Sequence, residues 1–301
     1  MQRTVVITGA TSGLGRACAG ELAGLPEWTV VVAARDRARG AAAARALGGG
    51  ASHVTLPLDL ADLDSVRAFP AALDAAGLPP LHAVVANAGI QHRDRRHTTA
   101  QGYEATFAVN HLAHFLLLRL LLGQLADGGR VAIVASGVHK PQRLRNFGFP
   151  PPRWDEPERL AEPGPGSGQI AYANSKLANV MTALELARRI DTLRPGAGIA
   201  VHALDPGLMP ETALTRGYPA PVRRLYPRLA PLLARLAPGA TSAAGSGGQL
   251  ARMVADPAYA APPNGRYVEL TRDGEPSPLA RDPELAARLW SESERLVGGI
   301  S

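Results

Sequence analysis

Apolar runs and helical patterns alternate along the first two thirds of the chain. Runs rich in Val, Ile, Leu and Ala predict strands over residues 4–8, 29–34, 53–58, 81–86, 130–135, 199–204 and 266–270. Most are continuously apolar, as expected of strands covered on both faces. Between them, helical patterns run over 14–23, 37–47, 63–73, 101–125, 171–190 and 242–255. This alternation implies an α/β fold: a doubly wound, seven-stranded parallel sheet with right-handed crossovers, in one domain over residues 1–301. Two segments break the rhythm. Residues 141–168 are rich in Pro and Gly and predict an irregular insertion, while 208–238 mix prolines with Leu and Arg and predict short helices. Loops at the carboxyl edge of such a sheet usually carry specificity, so 208–238 is expected to shape a substrate pocket.

Composition narrows the class. An apolar fraction of 46% over 301 residues suffices for a buried core. The net charge of +6 comes almost entirely from scattered arginines, with no basic run interleaved with stacking aromatics, so no nucleic-acid partner is expected. Cys18 is the only cysteine, which excludes an intramolecular disulfide and a cysteine metal site and fits a reducing cytoplasm. Strand residues from Thr4 leave no room for a leader peptide. The greasiest stretch, 115–122, contains Arg119 and is too short to span a bilayer, so no membrane anchor is expected.

The first strand runs into Thr8-Gly9-Ala10-Thr11-Ser12-Gly13-Leu14-Gly15. A glycine-rich strand-to-helix turn lets the backbone approach a pyrophosphate, which the helix N-terminus favours electrically. Three residues between the first two glycines set it apart from the G-x-G-x-x-G spacing, and no Gly-Lys-Ser/Thr follows to make an NTP loop. At the end of the second strand an acid would bind a free ribose 2′-hydroxyl. Ala34 stands there instead, followed by Arg35, whose guanidinium suits a 2′-phosphate and favours NADP(H) over NAD(H). The alternative is that Arg35 stacks on adenine or faces solvent, and Asp36 beside it keeps that open.

Tyr172 and Lys176 lie one helical turn apart on one face. An ammonium beside a phenol favours the phenolate, and the expectation is a Tyr172 pKa drawn below its usual value, toward neutrality. Only Lys140 and Lys176 are lysines in a chain of 32 Lys+Arg, so a lysine here suggests a need for a compact, movable ammonium.

Together with Asp59-Leu60, Asn87-Ala88-Gly89, Asn110, Ser136 and Pro206-Gly207, these motifs resemble, in order, those of the short-chain dehydrogenase/reductase family. The resemblance is strong over about residues 3–210. The runs Asn110-His111-Leu112-Ala113-His114-Phe115, Ser175-Lys176-Leu177-Ala178-Asn179 and Leu289-Trp290-Ser291-Glu292-Ser293 resemble the branch of retinol dehydrogenases and light-dependent protochlorophyllide reductase. The resemblance implies a Rossmann-type fold and reversible hydride transfer between NADP(H) and a carbonyl/alcohol pair, on a small, apolar substrate. It implies that Thr8, Gly9, Ser12, Gly13, Leu14, Gly15, Arg35, Asp59, Leu60, Asn87, Ala88, Gly89, Tyr172, Lys176, Pro206 and Gly207 bind the cofactor. Asp59 would cap adenine, and Pro206 and Gly207 would wall the nicotinamide. Ser136 would bind the substrate oxygen, Tyr172 would be the acid or base, Lys176 would lower its pKa and hold the ribose, and Asn110 would hold a relay water. Dimers and tetramers are common in the family.

Some residues depart from that pattern or stay outside it. Thr212 falls later than the family's carboxamide-binding threonine, and the gap from Ser136 to Tyr172 is longer than in compact members. His111 and His114 read as packing or hydrogen-bonding residues rather than metal ligands, and His92 and His97 as parts of a polar loop. His139, three residues past Ser136, is a candidate substrate contact. Alternative readings are a carbon–carbon double-bond reductase, another enzyme class such as an epimerase or dehydratase, and a catalytically silent dinucleotide sensor.

Overall fold

The computed structural model describes residues 1–48, 53–141, 149–207 and 241–299. Its central sheet contains β1 (Arg3–Thr8), β2 (Trp28–Ala34), β3 (Val54–Pro57), β4 (Leu81–Ala86), β6 (Arg130–Val134), β8 (Ala200–Asp205), β9 (Tyr267–Glu269) and β10 (Arg272–Asp273). The spatial order is β10-β9-β8-β6-β4-β1-β2-β3. Seven strands are parallel, as expected; the eighth, β10, is an added antiparallel edge paired through Arg272↔Glu269 and Asp273↔Val268. A two-residue polar strand has no apolar run to announce it.

Side chains alternate between two cores, one on each face of the sheet. Val6, Val31, Ala33, Val84, Val131, Ile133 and Val201 point to one. Val5, Ile7, Val30, Val32, Val85, Ala132, Val134 and Leu204 point to the other. That two-sided burial is why the strands read as unbroken apolar runs. On the second face α1 (Gly13–Ala23) packs against the helix Ala243–Ala255. A methyl group on Gly247 would stand 2.4 Å from Ala17 Cβ, so glycine sets the closeness of that crossing. Cys18 is buried there. The first face carries α3 (Leu63–Ala75), α5 (Ala113–Leu121) and α7 (Gly168–Leu193), with the last helix, Pro283–Leu296, laid on α7.

The helix expected over 101–125 starts later and is not uniform. The short helix α4 (Ala105–Phe107) passes through a wide π turn, Ala108–Leu112, into α5. Buried Glu104 caps its start, accepting from the Thr106 and Phe107 amides at 3.1 and 2.7 Å. The insertion is ordered rather than irregular over its described part. It contains α6 (Pro157–Ala161) and β7 (Gly164–Ser167), and β7 pairs antiparallel with β5 (Asp94–Arg95). Residues 208–238, including Thr212, lie outside the described residues.

β1 is followed on one side by β2 and β3, and the chain then returns to its other side with β4. The carboxyl ends of β1 and β4 therefore flank a topological switch point, the place where open α/β sheets bind ligands.

Candidate active site

At the switch point, Thr8 ends β1 and ties it to β4. Its Oγ1 accepts from the Asn87 and Ala88 amides, both at 2.9 Å. Its hydroxyl faces His114 Nε2 at 2.9 Å, and His114 Nδ1 faces the Asn110 carbonyl at 3.1 Å. A neutral His114 with its proton on Nδ1 satisfies both contacts, and burial pushes its pKa down to about 4. His111 meets Ser293 Oγ at 2.9 Å. Both histidines thus hydrogen-bond inside the core, and the described residues contain no group of His, Cys, Asp and Glu suited to a metal.

The glycine turn has the form a dinucleotide needs. Gly9 and Gly13 have φ of +70° and +55°, a region that side chains disfavour. A methyl group on Gly15 would lie 2.4 Å from Asn87 Nδ2 and 2.6 Å from the Gly9 carbonyl. Asn87 Nδ2 itself donates to the Thr8 carbonyl at 2.8 Å. Ser12 precedes α1 with its side chain uncommitted to the helix, and the first turn carries no acid. The residues present therefore fit a pyrophosphate at the α1 N-terminus. Leu14 is buried behind them.

The nucleotide end is more open. Arg35 is exposed just past β2. Asp36 is engaged as the cap of α2 (Arg37–Arg45), accepting from the Arg39 amide at 3.0 Å. Asp59 folds a local turn, accepting from the Ala61 amide at 2.9 Å, while Leu60 belongs to the core.

The tyrosine–lysine pair expected from the sequence lies on α7. Tyr172, Lys176 and Asn179 follow at intervals of four and three, on one stripe of the helix. Lys176 Nζ donates to the Val134 carbonyl at 3.0 Å, and Asn179 Nδ2 shares that acceptor at 3.1 Å. The ammonium lies 5.6 Å from the Tyr172 ring centroid. Ser136 stands two residues beyond Val134, half-buried on extended backbone. Gly89 is close to both Asn110 and Lys176; a methyl group on it would be 3.4 Å from Asn110 Oδ1 and 3.6 Å from Lys176 Nζ. Asn110 sits in the π turn, a feature frequent at functional sites. Its Oδ1 accepts from the Ile90 amide at 2.8 Å, and its Nδ2 donates to the Ile90 carbonyl at 3.0 Å and Ser175 Oγ at 2.9 Å. The carboxamide thus braces the Gly89–Ile90 loop against α7.

The expected electrostatics of the pair are reversed at Tyr172. Burial raises its phenol pKa, and the Asp205 charge raises it further. The effect lands on the lysine: burial pushes Lys176 down to about 8, while Asp205 opposes the fall. Burial moves both groups, 7% and 3% exposed, toward their neutral forms, and at about 8 Lys176 still keeps its proton at neutral pH.

Asp205 ends β8 and holds the Pro206–Gly207 turn, its Oδ1 accepting the Gly207 amide at 3.0 Å. Ser246 Oγ donates to the Pro206 carbonyl at 2.8 Å. Tyr267 OH donates to Asp205 Oδ2 at 3.1 Å. His139 is fully buried, so it is not a substrate contact: Nδ1 donates to the Ser136 carbonyl at 2.7 Å and Nε2 accepts the Ser277 amide at 3.2 Å. The sequence reading missed Asp205 and Tyr267; the one available signal was an acid directly before Pro206-Gly207.

Comparison with known proteins agrees with this geometry. The short chain dehydrogenase family model matches residues 3–145. The chain is similar to the chloroplastic protochlorophyllide reductase A of Oryza sativa subsp. japonica, 38% identical over 99% of this chain and 81% of the relative. It is also similar to dehydrogenase/reductase SDR family member 13 of Bos taurus, 37% identical over 98% of this chain and 73% of the relative. A solved Beutenbergia cavernae protein, assigned as an NAD(P)-dependent gluconate 5-dehydrogenase and holding NADP at low occupancy, superposes with a TM-score of 0.62 at 27% identity, covering 88% of this chain and 94% of its own. The chain therefore belongs to the short-chain dehydrogenase/reductase family of NAD(P)-dependent oxidoreductases, on the branch that includes the protochlorophyllide reductases.

Proposed function

We propose that this oxidoreductase uses NADP(H) to interconvert an apolar carbonyl compound and its alcohol, with Ser136, Tyr172, Lys176 and Asn110 at the reaction site. The observation that carries the reading is the placement of Tyr172 and Lys176 on one stripe of α7, with Lys176 Nζ 3.0 Å from Val134 O at the carboxyl end of β6. Gly9, Ser12, Gly13, Leu14 and Gly15 would hold the pyrophosphate, and Arg35 a 2′-phosphate. Asp59 and Leu60 would flank adenine. Asn87, Ala88 and Gly89 would line the cofactor, with Pro206 and Gly207 walling the nicotinamide. When bound, the nicotinamide supplies or accepts the hydride, and that chemistry is the cofactor's own.

The protein manages the oxygen and the proton. Ser136 and Tyr172 donate hydrogen bonds to the oxygen where negative charge develops. In reduction Tyr172 passes its proton to that oxygen, and a phenol whose pKa burial raises is set to act as the acid. Lys176, titrating at about 8, holds a proton that it can return to Tyr172 near neutral pH. Asn110 keeps the Gly89 loop and α7 in register. No helix among the described residues is long and apolar enough to cross a membrane.

A screen of ketones and aldehydes that follows NADPH consumption tests the reading. Carbonyl substrates should yield alcohols. The similarity to a protochlorophyllide reductase supports a second reading, reduction of a carbon–carbon double bond. Products that retain the carbonyl but lose an adjacent double bond would favour that second reading over the first.

A further inference from the structure

Ser136 and the Pro206–Gly207 turn follow neighbouring strands, β6 and β8. Side chains that the mechanism leaves unused tie the two together from β9. Tyr267 is their centre. Its hydroxyl donates to Asp205 Oδ2 at 3.1 Å, and Asp205 Oδ1 takes the Gly207 amide at 3.0 Å. Gly207 adopts φ +73°, so its turn needs a specific anchor. The Tyr267 ring meets the His139 ring edge-on at 5.3 Å. His139 in turn holds the Ser136 carbonyl at 2.7 Å. Lys140 Nζ lies 4.9 Å from the Tyr267 ring centroid and pairs with Glu269 at 2.7 Å. Tyr267, Asp205 and His139 are 3%, 3% and 0% exposed. Buried polar groups whose hydrogen bonds are met in this way are stiff.

We propose that Tyr267 is a positioning residue for the nicotinamide, setting the Pro206–Gly207 wall through Asp205 and the Ser136 turn through His139. The proposal rests on the reading above, in which those two turns flank the nicotinamide and the substrate oxygen. One phenol then governs the gap between the cofactor wall and the oxygen's hydrogen-bond donor. His139 suits the task because burial holds its pKa down at about 4, so its donor and acceptor nitrogens stay fixed at neutral pH.

Calorimetric titration of the full chain with NADPH, and separately with 2′-phospho-ADP-ribose, tests this. The second ligand carries the same phosphates and adenosine but no nicotinamide. Tyr267→Phe keeps the ring and its contacts and deletes one hydrogen bond to a carboxylate. It should weaken NADPH about tenfold and leave the nicotinamide-free ligand within about twofold of wild type. Asp205→Asn keeps an oxygen for the Gly207 amide but replaces the charged acceptor of the Tyr267 hydroxyl by a neutral amide, and should give a selective loss of the same kind. The double variant should be no weaker than the weaker single one, because both remove the same charge-assisted bond. Equal weakening of the two ligands would reduce Tyr267 to a general fold contact, and unchanged NADPH affinity in both single variants would likewise overturn the proposal. A wild-type chain that binds neither ligand would remove the cofactor reading itself, and the positioning role with it.

Discussion

The chain's two lysines each lie over a tyrosine ring, and the two pairs differ in what holds the ammonium. Lys140 lies 4.9 Å from the Tyr267 centroid and has a carboxylate, Glu269, at 2.7 Å. Lys176 lies 5.6 Å from the Tyr172 centroid and donates to a neutral carbonyl, Val134 O. An ammonium compensated by a carboxylate makes a clamp. One buried against a carbonyl is costly to keep charged, and its pKa falls to about 8. Asp205 lies between the pairs, bonded to Tyr267 and acting by charge on Tyr172 and Lys176. The same two residue types thus stand at the proposed proton-handling site in one place and in a brace in the other.

The sharpest way to break this contrast is to remove one phenol hydroxyl at a time. Tyr172→Phe should cut turnover on a carbonyl substrate by about 10²–10⁴-fold, the usual range for a lost general acid, with NADPH affinity nearly unchanged. Tyr267→Phe should act mainly on NADPH affinity. Steady-state kinetics with a parallel binding titration separates the two. A Tyr172→Phe enzyme with near-wild-type kcat would move the acid elsewhere.

The pairs should also separate by pH. Lys176 titrates at about 8 when folded, against its ordinary value of 10.5. Between those values the unfolded chain holds more of this proton, so the Lys176 contribution to stability rises with pH across that window, by about 3 kcal/mol, while the buried Cys18 thiol, pushed up by burial, opposes it above the ordinary thiol range. Lys176→Met should flatten this rise in urea unfolding series run at successive pH values. On the second pair's side, His139 titrates at about 4 against 6.5. Its contribution is complete above pH 6.5 and is lost as pH falls toward 4. His139→Gln should make the acid loss shallower without abolishing it, because buried His111 and His114 are shifted in the same direction.

How much of this was legible in the sequence depends on what each feature rests on. The parallel strands were legible because burial on both faces forces continuous apolar runs such as Val30-Val31-Val32. The glycine turn and the Tyr172/Lys176 spacing were legible because local geometry demands those residues. The β10 edge was too short and polar to register. The helix Pro283–Leu296 had its signals, an Asp282 cap and a proline at its first position, yet was not predicted as an element. The Tyr172 pKa was misjudged for a deeper reason. Spacing brings Lys176 near, but burial and the distant Asp205 decide the sign, and both depend on tertiary packing. The same holds for Asp205, Tyr267 and His139, which come together from three separate stretches of chain.

The nucleotide end offers a smaller test of the company Lys176 keeps. Arg35 is exposed beyond β2, and Asp36 beside it caps α2. Arg35→Ala should weaken NADPH by about tenfold, the scale of a lost charge-assisted contact, and leave NADH nearly unchanged. Equal losses for both would remove the preference for the 2′-phosphate and leave the Lys176 pair in an enzyme indifferent to it.

The smallest effect should come from the clamp's own lysine. Lys140 and Glu269 have side chains 14% and 39% exposed, so water and salt screen their attraction. A pair of this kind contributes about 1 kcal/mol or less. Lys140→Met keeps an unbranched, polarizable chain over the Tyr267 ring while removing the charge. A double-mutant cycle of this variant with Glu269→Gln, read by urea unfolding, should therefore give a coupling of no more than about 1 kcal/mol, shrinking as salt is added. The alkaline rise in stability assigned to Lys176 should persist in this variant. If that rise disappears with Lys140 instead, the roles of the two lysines are exchanged, and the buried ammonium against Val134 is not the one that titrates.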